Sequence, residues 1–226
     1  MNQEQRKKDF LKILRGIDYS RSDKDCFRDF VTFTRFSFTV NKSEKIVEDV
    51  QSRMNTYKDQ ESVLKKYGGL LDLLIEALTE EPRDFLGAVC MELGTNSNLG
   101  QCFTPDSLAE ISAEMSLSGI KDEIDRKGFA TIYEPTCGAG SMILACARVL
   151  SKLGVDYQRQ ICVTGVDLDR LVADMCFVQV SLCGIPAVIY HGNTLSNEMF
   201  DTMPTVMFIR DGWCIKLRKG KHETRF

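Results

Sequence analysis

Short and long apolar segments alternate through the second half of the chain, and this alternation restricts the possible folds more than any other feature. Three short segments have the length and composition of buried strands: FATIYEP, QICVTGVD and IPAVIYHGN. Between them lie two segments of helical length that end at Gly154 and Gly184, GAGSMILACARVLSKLG and DRLVADMCFVQVSLCG. Strands and helices in this order, joined by short loops, predict a β-α-β-α-β unit with a parallel sheet.

The loops that follow these strands are the candidate site, because ligands of parallel sheets bind at the carboxyl ends of the strands. They read EPTCGAGS, VDLD and HGNTL. In the first loop, Gly138 and Gly140 allow a ligand to approach the backbone, and the next helix would direct free N–H groups towards it. The carboxylate of Glu134 suits a ligand with a cationic amino group better than a pyrophosphate. A tight structural turn is the alternative explanation of the same residues.

The second and third loops add polar residues that suit a nucleoside. Asp167 ends the second strand, 29 residues after Gly138, where a carboxylate can accept hydrogen bonds from both ribose hydroxyls. Asp169 is the weaker candidate because it also has the position of a helix N-cap. Asn193 ends the third strand, where an amide can bind the edge of an adenine. Each residue alone has a structural explanation, but their order along one unit predicts a cofactor site.

The first 83 residues have a helical pattern and are predicted as a region separate from an α/β domain of residues 84–226. Apolar spacing predicts helices at 10–17, 25–38, 43–67, 70–78 and 82–93. The end of the second helix, VTFTRFSFTV, also alternates like a strand. Gly68 and Gly69 are predicted to break the third helix, and Pro82 to lie in the first turn of the last.

Composition excludes several other classes of protein. A formal net charge of -3 does not fit a chain that binds nucleic acid through its overall charge, although a local basic patch remains open. No apolar run approaches the roughly 20 residues that span a bilayer, and the segment MNQEQRKKDFLKILRG lacks the apolar core of a secretory signal. Nine cysteines without a CxxC pair, and only two histidines, predict reduced thiols in a cytoplasmic protein without a metal site.

Two motifs resemble those of a known family. The loop EPTCGAGS resembles the first motif of class I S-adenosylmethionine-dependent methyltransferases, and more narrowly the DPxCGSG form of adenine-N6 DNA methyltransferases of the type I restriction–modification kind. The upstream GQCFTP is similar to the GQFFTP segment of that family, with four matches and Cys102 in place of a phenylalanine: Gln101, Phe103, Thr104 and Pro105. The resemblance covers residues 84 to about 196. It implies an α/β Rossmann-like class I methyltransferase fold, short or truncated, with an N-terminal helical region.

The resemblance also implies roles for individual residues towards S-adenosylmethionine. The GQCFTP segment would fold over the cofactor, and four residues of the first loop would hold its methionine end: Glu134, Gly138, Ala139 and Gly140. Asp167 would bind the ribose and Asn193 the adenine, although the family usually has an aspartate at the latter position. Neighbouring residues of the same loops complete the predicted cofactor-binding set: Thr136, Leu168, Thr194 and Leu195.

The catalytic tetrapeptide of this family is not found in the sequence. In the family, an NPPF or DPPY segment after the fourth strand accepts hydrogen bonds from the target amine and stacks on the flipped base. No N-P-P or D-P-P occurs in this chain. MPTVMF lies at a suitable distance but lacks the polar acceptor, and Asp201 has the wrong spacing, so no catalytic residue is assigned. Further short strands are predicted at PTVMFIR and WCIKLR.

The C-terminal segment carries six lysine and arginine residues from Arg210 onwards, against two acids. With Trp213 and Phe226 it could contact the phosphates of a nucleic acid and stack on a base. A solvated C-terminal segment is the favoured interpretation of this composition.

Two hypotheses of function follow. In the first, the chain resembles DNA adenine-N6 methyltransferases, binds S-adenosylmethionine and methylates DNA, alone or with a partner that supplies target recognition. In the second, it is a non-catalytic relative that binds the cofactor or a partner protein as a regulator. The absent tetrapeptide favours the second, and the complete cofactor loops favour retained cofactor binding. A small-molecule methyltransferase fits less well because GQCFTP is typical of the DNA family, and a dehydrogenase because GxGxxG is absent.

Overall fold

The computed structural model describes residues 2–94 and 104–223, with a helical part followed by an α/β part. The first part contains the helices α1 (Gln3–Arg15), α2 (Asp23–Phe38), α3 (Glu44–Met54), α4 (Gln60–Glu80) and α5 (Phe85–Glu92). The second part contains, in chain order, α6 (Asp106–Ser116), α7 (Ile120–Lys127), β1 (Ala130–Glu134), α8 (Ser141–Lys152), α9 (Tyr157–Gln160), β2 (Ile161–Asp167), α10 (Arg170–Leu182), β3 (Ala187–Asn193), β4 (Glu198–Pro204), α11 (Val206–Arg210) and α12 (Trp213–Glu223).

The four strands form one sheet in the order β1-β2-β3-β4. β1 pairs in parallel with β2 and β2 with β3, whereas β4 runs antiparallel to β3. Helices α8 and α9 lie between β1 and β2 in the chain, and α10 lies between β2 and β3. The predicted β-α-β-α-β unit and its Rossmann-like α/β class are therefore confirmed, because each parallel pair is joined through helix.

Local capping explains where the helices of this unit begin and end. Asp169 accepts a hydrogen bond from Val172 N at 3.1 Å and so caps α10, as its sequence position indicated. Gly154 and Gly184 follow α8 and α10 with φ of +73° and +67°, a conformation that favours glycine. The predicted ends of both helices are confirmed.

In the first part, the structure decides one open alternative and corrects one predicted helix boundary. α2 is helical to Phe38, so the strand alternative for its end is excluded; its fully buried residues have helical spacing, Phe27, Phe30 and Val31. α5 begins after Pro82 rather than at it, because Asp84 accepts a hydrogen bond from Gly87 N at 2.8 Å and caps the helix there.

The long charged helix predicted over 43–67 is in fact two helices, α3 and α4. The chain leaves the helical conformation before Asp59, whose side chain accepts a hydrogen bond from Ser62 N at 3.0 Å and starts α4. Gly68 and Gly69 lie inside α4 and do not break it. Burial of the apolar face of α4 compensates for the low helix propensity of the two glycines.

The strands predicted at PTVMFIR and WCIKLR are also wrong, since these segments form α11 and α12 and the last strand is EMFDTMP. Thr205 ends the strand and starts α11, because its buried hydroxyl accepts from Phe208 N and donates to Ile185 O at 2.9 Å. Trp213 is fully buried and packs edge-on against Phe129, with ring centroids 5.5 Å apart. It is therefore not available to stack on a base.

One hydrophobic core joins the two parts of the chain. Its buried members come from the first helices and from the sheet alike, among them Phe10, Phe30, Leu70, Leu86, Ile143, Val163 and Ile189. The described cysteines form no disulfide, and all of them are buried except Cys214. Across residues 2–94 and 104–223, the helices are too short or too polar to cross a bilayer.

A network of charges, with Arg35 and Asp174 buried at its centre, connects α2 to α10 and β4. Arg35 pairs with Asp174 of α10 at 3.1 Å and with Asp201 of β4 at 2.6 Å. Arg170 pairs with the same two carboxylates at 2.9 and 3.0 Å. Burial lowers the pKa of Arg35 and raises that of Asp174, and the ion pairs oppose both effects. The network thereby holds α10 and the β3–β4 hairpin at fixed positions.

Substitution of Arg35 should show how strongly the structure depends on this network. The side chain of Asp174 is only 7% exposed, and Arg35→Leu removes one of its two cationic partners. Arg170 is then the remaining partner. We expect a loss of about 3–5 kcal/mol in the free energy of unfolding, measured by urea denaturation. Arg15→Ala, which removes an exposed ion pair with Asp23, is the control and should change stability by less than about 1 kcal/mol. Equal effects of the two variants would contradict the importance of the network.

Candidate functional site

The carboxyl ends of β1, β2 and β3 lie side by side at one edge of the sheet. The register pairs Glu134 with Gly165 and Asp167 with His191. Because parallel strands end at the same side, the loops after these strands converge there, as the sequence predicted. β2 is the middle strand of the three, so Asp167 lies between the first and third loops.

Hydrogen bonds connect the three loops directly. We call residues 135–140 the glycine loop. Its Cys137 N donates to Val166 O at 2.8 Å, and its Gly138 N donates to the Oδ2 atom of Asp167 at 2.9 Å. From the third loop, the Thr194 hydroxyl donates to Pro135 O at 2.6 Å. The loops therefore form one connected surface rather than three separate turns.

The glycine loop closes tightly and leads into a helix without a side-chain cap. Gly140 N donates to Cys137 O at 2.9 Å, which closes a turn. Gly138 and Gly140 have φ of +56° and +101°, and a Cβ on Gly140 would lie 3.1 Å from Cys176 Sγ of α10. Gly140 is the N-cap residue of α8, so the first N–H groups of that helix are left for a ligand. Such a terminus attracts a carboxylate or a phosphate.

Two carboxylates lie beside this helix terminus. Burial raises the pKa of Glu134, which accepts one long hydrogen bond from Thr136 N at 3.4 Å. Burial also raises the pKa of Asp167, while hydrogen bonds from Asp169 N and Gly138 N lower it. Since a carboxylate has about four acceptor positions, both groups can still accept hydrogen bonds from a ligand.

The third loop fixes the amide of Asn193. Its Oδ1 atom accepts hydrogen bonds from Leu195 N at 3.0 Å and Ser196 N at 3.4 Å, which closes a turn at the strand end. The amide nitrogen makes no hydrogen bond to the residues that the structure describes, so it is the group that can bind a ligand. The side chains of Leu168 and Leu195 are exposed, at 61% and 99%.

A cavity of about 750 Å³ adjoins Asp167 on the side that faces the helical part. Its walls combine the strand-end residues Asp167, Leu168 and His191 with Arg28 and Thr32 of α2. Cavities of this size accommodate small ligands and cofactors. The α2 wall has no signal in the sequence, because α2 precedes β2 by more than a hundred residues and carries no local sign of this contact.

The other predicted residues have varied surroundings. Gln101 and Phe103 lie outside the described residues. The Thr104 carbonyl accepts a hydrogen bond from the Ser141 hydroxyl at 3.3 Å, which brings the end of GQCFTP to the start of α8, and Pro105 is the N-cap residue of α6. Thr136 is exposed, whereas the Ala139 side chain is buried and leaves only its backbone for a ligand.

A catalytic acceptor is not apparent among the described side chains near the site. Asp201 is engaged by two arginines in the buried network, which agrees with its exclusion at the sequence level. No cluster of histidine, cysteine and carboxylate side chains suited to a metal ion occurs in the described ranges.

Comparison with known proteins gives a family and two similar structures. The sequence profile of the family described as N-6 DNA Methylase matches residues 90–210. The chain is similar to a proposed class I S-adenosylmethionine-dependent methyltransferase from Listeria monocytogenes, with 17% identity and a TM-score of 0.44 over 87% of this chain. It is also similar to a type I restriction-modification system methyltransferase subunit from Streptococcus thermophilus, with 15% identity and a TM-score of 0.37 over 81%. The matches cover 56% of each of those chains, and no curated protein matches.

Alanine substitution of glycine should have opposite effects in the glycine loop and in α4. Gly140→Ala places a Cβ at φ +101° and close to Cys176, so we expect a loss of about 1–2 kcal/mol in the free energy of unfolding. Gly68→Ala lies inside α4, with no atom within 4 Å of its added Cβ, and should stabilise the protein by roughly 0.5–1 kcal/mol. Urea denaturation measures both changes. A Gly140→Ala variant as stable as the wild type would contradict the close contact with α10.

Proposed function

The chain belongs to the N-6 DNA methylase family, and from this premise we propose that it binds S-adenosylmethionine and takes part in methyl transfer to an adenine of DNA. The observation that supports the proposal best is the hydrogen bond from Gly138 N to Asp167, next to the uncapped N-terminus of α8. It joins a group that can bind a carboxylate to one that can bind a ribose. A ligand that carries both, with a cationic amino group, fits this pair.

The donors and acceptors of the site match the cofactor group by group. The N–H groups at the start of α8 suit the methionine carboxylate, and the half-buried Glu134 suits the amino group. Asp167 suits the ribose hydroxyls, and the adjoining cavity, which Asp167 lines, suits the adenine. When bound, S-adenosylmethionine supplies an electrophilic methyl group. The chain's own residues orient it.

We propose that the amine acceptor and the recognition of DNA come from a partner. Methyl transfer to an adenine amine needs a polar group that accepts its hydrogen bonds and positions it in line with the methyl carbon. The sequence has no N-P-P or D-P-P segment, and Asp201 is neutralised by Arg35 and Arg170. A partner that supplies both the acceptor and the specificity would complete the enzyme.

The ion pairs of Asp201 with Arg35 and Arg170 also support a second candidate function. A chain that binds the cofactor without activating an amine can act as a regulator that binds a partner protein. The two functions differ in one measurable property: a regulator stays inactive when the partner and DNA are both present, whereas an enzyme component becomes active.

Substitution of Asp167 tests cofactor binding. Asp167→Ala removes charged hydrogen bonds to the ribose, each worth roughly 1.5–3 kcal/mol, so we expect affinity to fall by roughly tenfold or more in calorimetric titration. Asp167→Asn removes the negative charge but retains an acceptor oxygen for Gly138 N. A loss of affinity in this variant as well would therefore come from weaker contacts with the ribose, whereas a loss in Asp167→Ala alone would point to a displaced glycine loop. Asp72→Ala, an exposed carboxylate of α4, is the matched control and should bind as the wild type does. Unchanged affinity in a folded Asp167→Ala variant would remove this residue from the site.

A transfer assay tests the division of roles. We expect the purified chain to bind S-adenosylmethionine but to transfer little labelled methyl to unmodified DNA, because its described residues near the site offer no amine acceptor. Incorporation of label is measured with and without Asp201→Ala. Rapid incorporation by the wild type alone would overturn the proposed division of roles. Its disappearance in an Asp201→Ala variant that keeps wild-type stability in urea denaturation would also overturn the assignment of Asp201 to a structural network.

A further inference from the structure

Gln179 is a fully buried polar residue in the apolar helix α10. Its Nε2 atom donates to Ala139 O of the glycine loop at 2.8 Å and to the Asp84 carboxylate at 2.9 Å. Its Oε1 atom accepts from Leu86 N at 3.0 Å. The side chain thus uses both N–H donors and its acceptor, and connects three separate elements: α10, the glycine loop and the start of α5.

The bond to Ala139 fixes the orientation of one peptide group in the glycine loop. The C=O and N–H of a trans peptide point in opposite directions. Ala139 O is held by Gln179, and the N–H of the same peptide, on Gly140, donates to Cys137 O at 2.9 Å. The peptide plane is therefore held from both sides. This plane immediately precedes the first N–H groups of α8.

A second residue of α10 supports the loop from the same face. Cys176 precedes Gln179 by three positions, so the two side chains lie on one side of the helix. Cys176 Sγ lies where it would crowd a Cβ on Gly140. Gln179 and Cys176 together determine how closely the glycine loop approaches α10.

The start of α5 has a structure suited to the Gln179 amide. Asp84 caps α5 through Gly87 N and accepts the second N–H of Gln179 with the same oxygen. A Cβ on residue 87 would collide with the Asp84 carboxylate, so a side chain there would displace Asp84 from its cap position. Burial raises the pKa of Asp84, and the hydrogen bonds from Gln179 and Gly87 oppose that rise.

We infer that Gln179 is a positioning residue for the cofactor site: it holds the peptide between Ala139 and Gly140 so that the start of α8 faces the ligand. The inference rests on the proposed binding of S-adenosylmethionine for its functional consequence. Its structural content, an ordered glycine loop in the ligand-free chain, does not depend on that binding.

A charge-exchange pair of substitutions separates positioning from stability. Gln179→Glu loses the donor to Ala139 and places two carboxylates together at Asp84. In the double variant Gln179→Glu/Asp84→Asn, the new amide at position 84 can donate to the new carboxylate at position 179 and still accept from Gly87 N. The α5 contact is rebuilt, and no donor reaches Ala139 O once the new carboxyl at position 179 is ionised, so the measurements are repeated at increasing pH. We therefore expect the double variant to recover much of the stability that the single variant loses. The peptide between Ala139 and Gly140 should nevertheless remain without its hydrogen bond from residue 179.

Two measurements on the double variant test the inference. Hydrogen exchange of amides 137–142 in the ligand-free chain should be about tenfold faster than in the wild type, as expected for one lost hydrogen bond. Amides of β2 should exchange at the wild-type rate. The affinity for S-adenosylmethionine, measured by calorimetry, should be about tenfold lower. Wild-type loop exchange and wild-type affinity together with recovered stability would overturn the inference.

The two proposals fail in different ways. If the wild-type chain binds no S-adenosylmethionine, the proposed function fails, and hydrogen exchange alone decides the role of Gln179. Faster exchange confined to the glycine loop then supports the positioning role. Unchanged exchange overturns it. Asp84→Asn alone is the control, because its side-chain oxygen keeps the cap and the contact with the Gln179 amide.

Discussion

The close approach of the glycine loop to α10 is the contact on which the rest of the site depends. Because Gly140 has no side chain, the glycine loop approaches α10 so closely that Cys176 would crowd a Cβ at this position. At this separation from α10, Gly138 N donates a hydrogen bond to the carboxylate of Asp167, and Pro135 O accepts one from the hydroxyl of Thr194. Interiors pack too densely for a loop to shift alone. One packing contact therefore sets the relative positions of three loops from three strands.

The charges of the molecule are divided between two functions. Near the loops, Glu134 and Asp167 have no arginine or lysine partner among the described residues, and burial raises their pKa values. A ligand with donors can stabilise their ionised forms. Farther along the sheet, Arg35 and Arg170 neutralise Asp174 and Asp201 within the protein itself. The first pair is suited to binding, and the second holds α2, α10 and β4 together.

Binding a methyl donor and activating an amine require different groups. This difference explains why the chain has residues suited to the donor but no residue assigned as the amine acceptor. In the proposed function, the donor is held by backbone N–H groups and by carboxylates at strand ends, and such groups follow directly from this type of fold. Activation of an amine needs an additional acceptor aimed at the methyl carbon. Among the described residues, the strand ends and the start of α8 carry groups suited to the proposed donor, whereas Asp201 pairs with Arg35 and Arg170 in the charge network.

The sequence by itself determined the parallel strands, the loops at their ends and the cap at Asp169, because these depend on local periodicity and on residues adjacent in the chain. Local signals were misleading where tertiary packing decides, as in the apolar segments around Val206 and Trp213, which resemble strands but are helices. A polar Gln179 within an apolar helix was a visible signal, yet its partners could not be identified. Those partners, and the α2 wall of the cavity, come from distant parts of the chain, and only the folded structure brings them together.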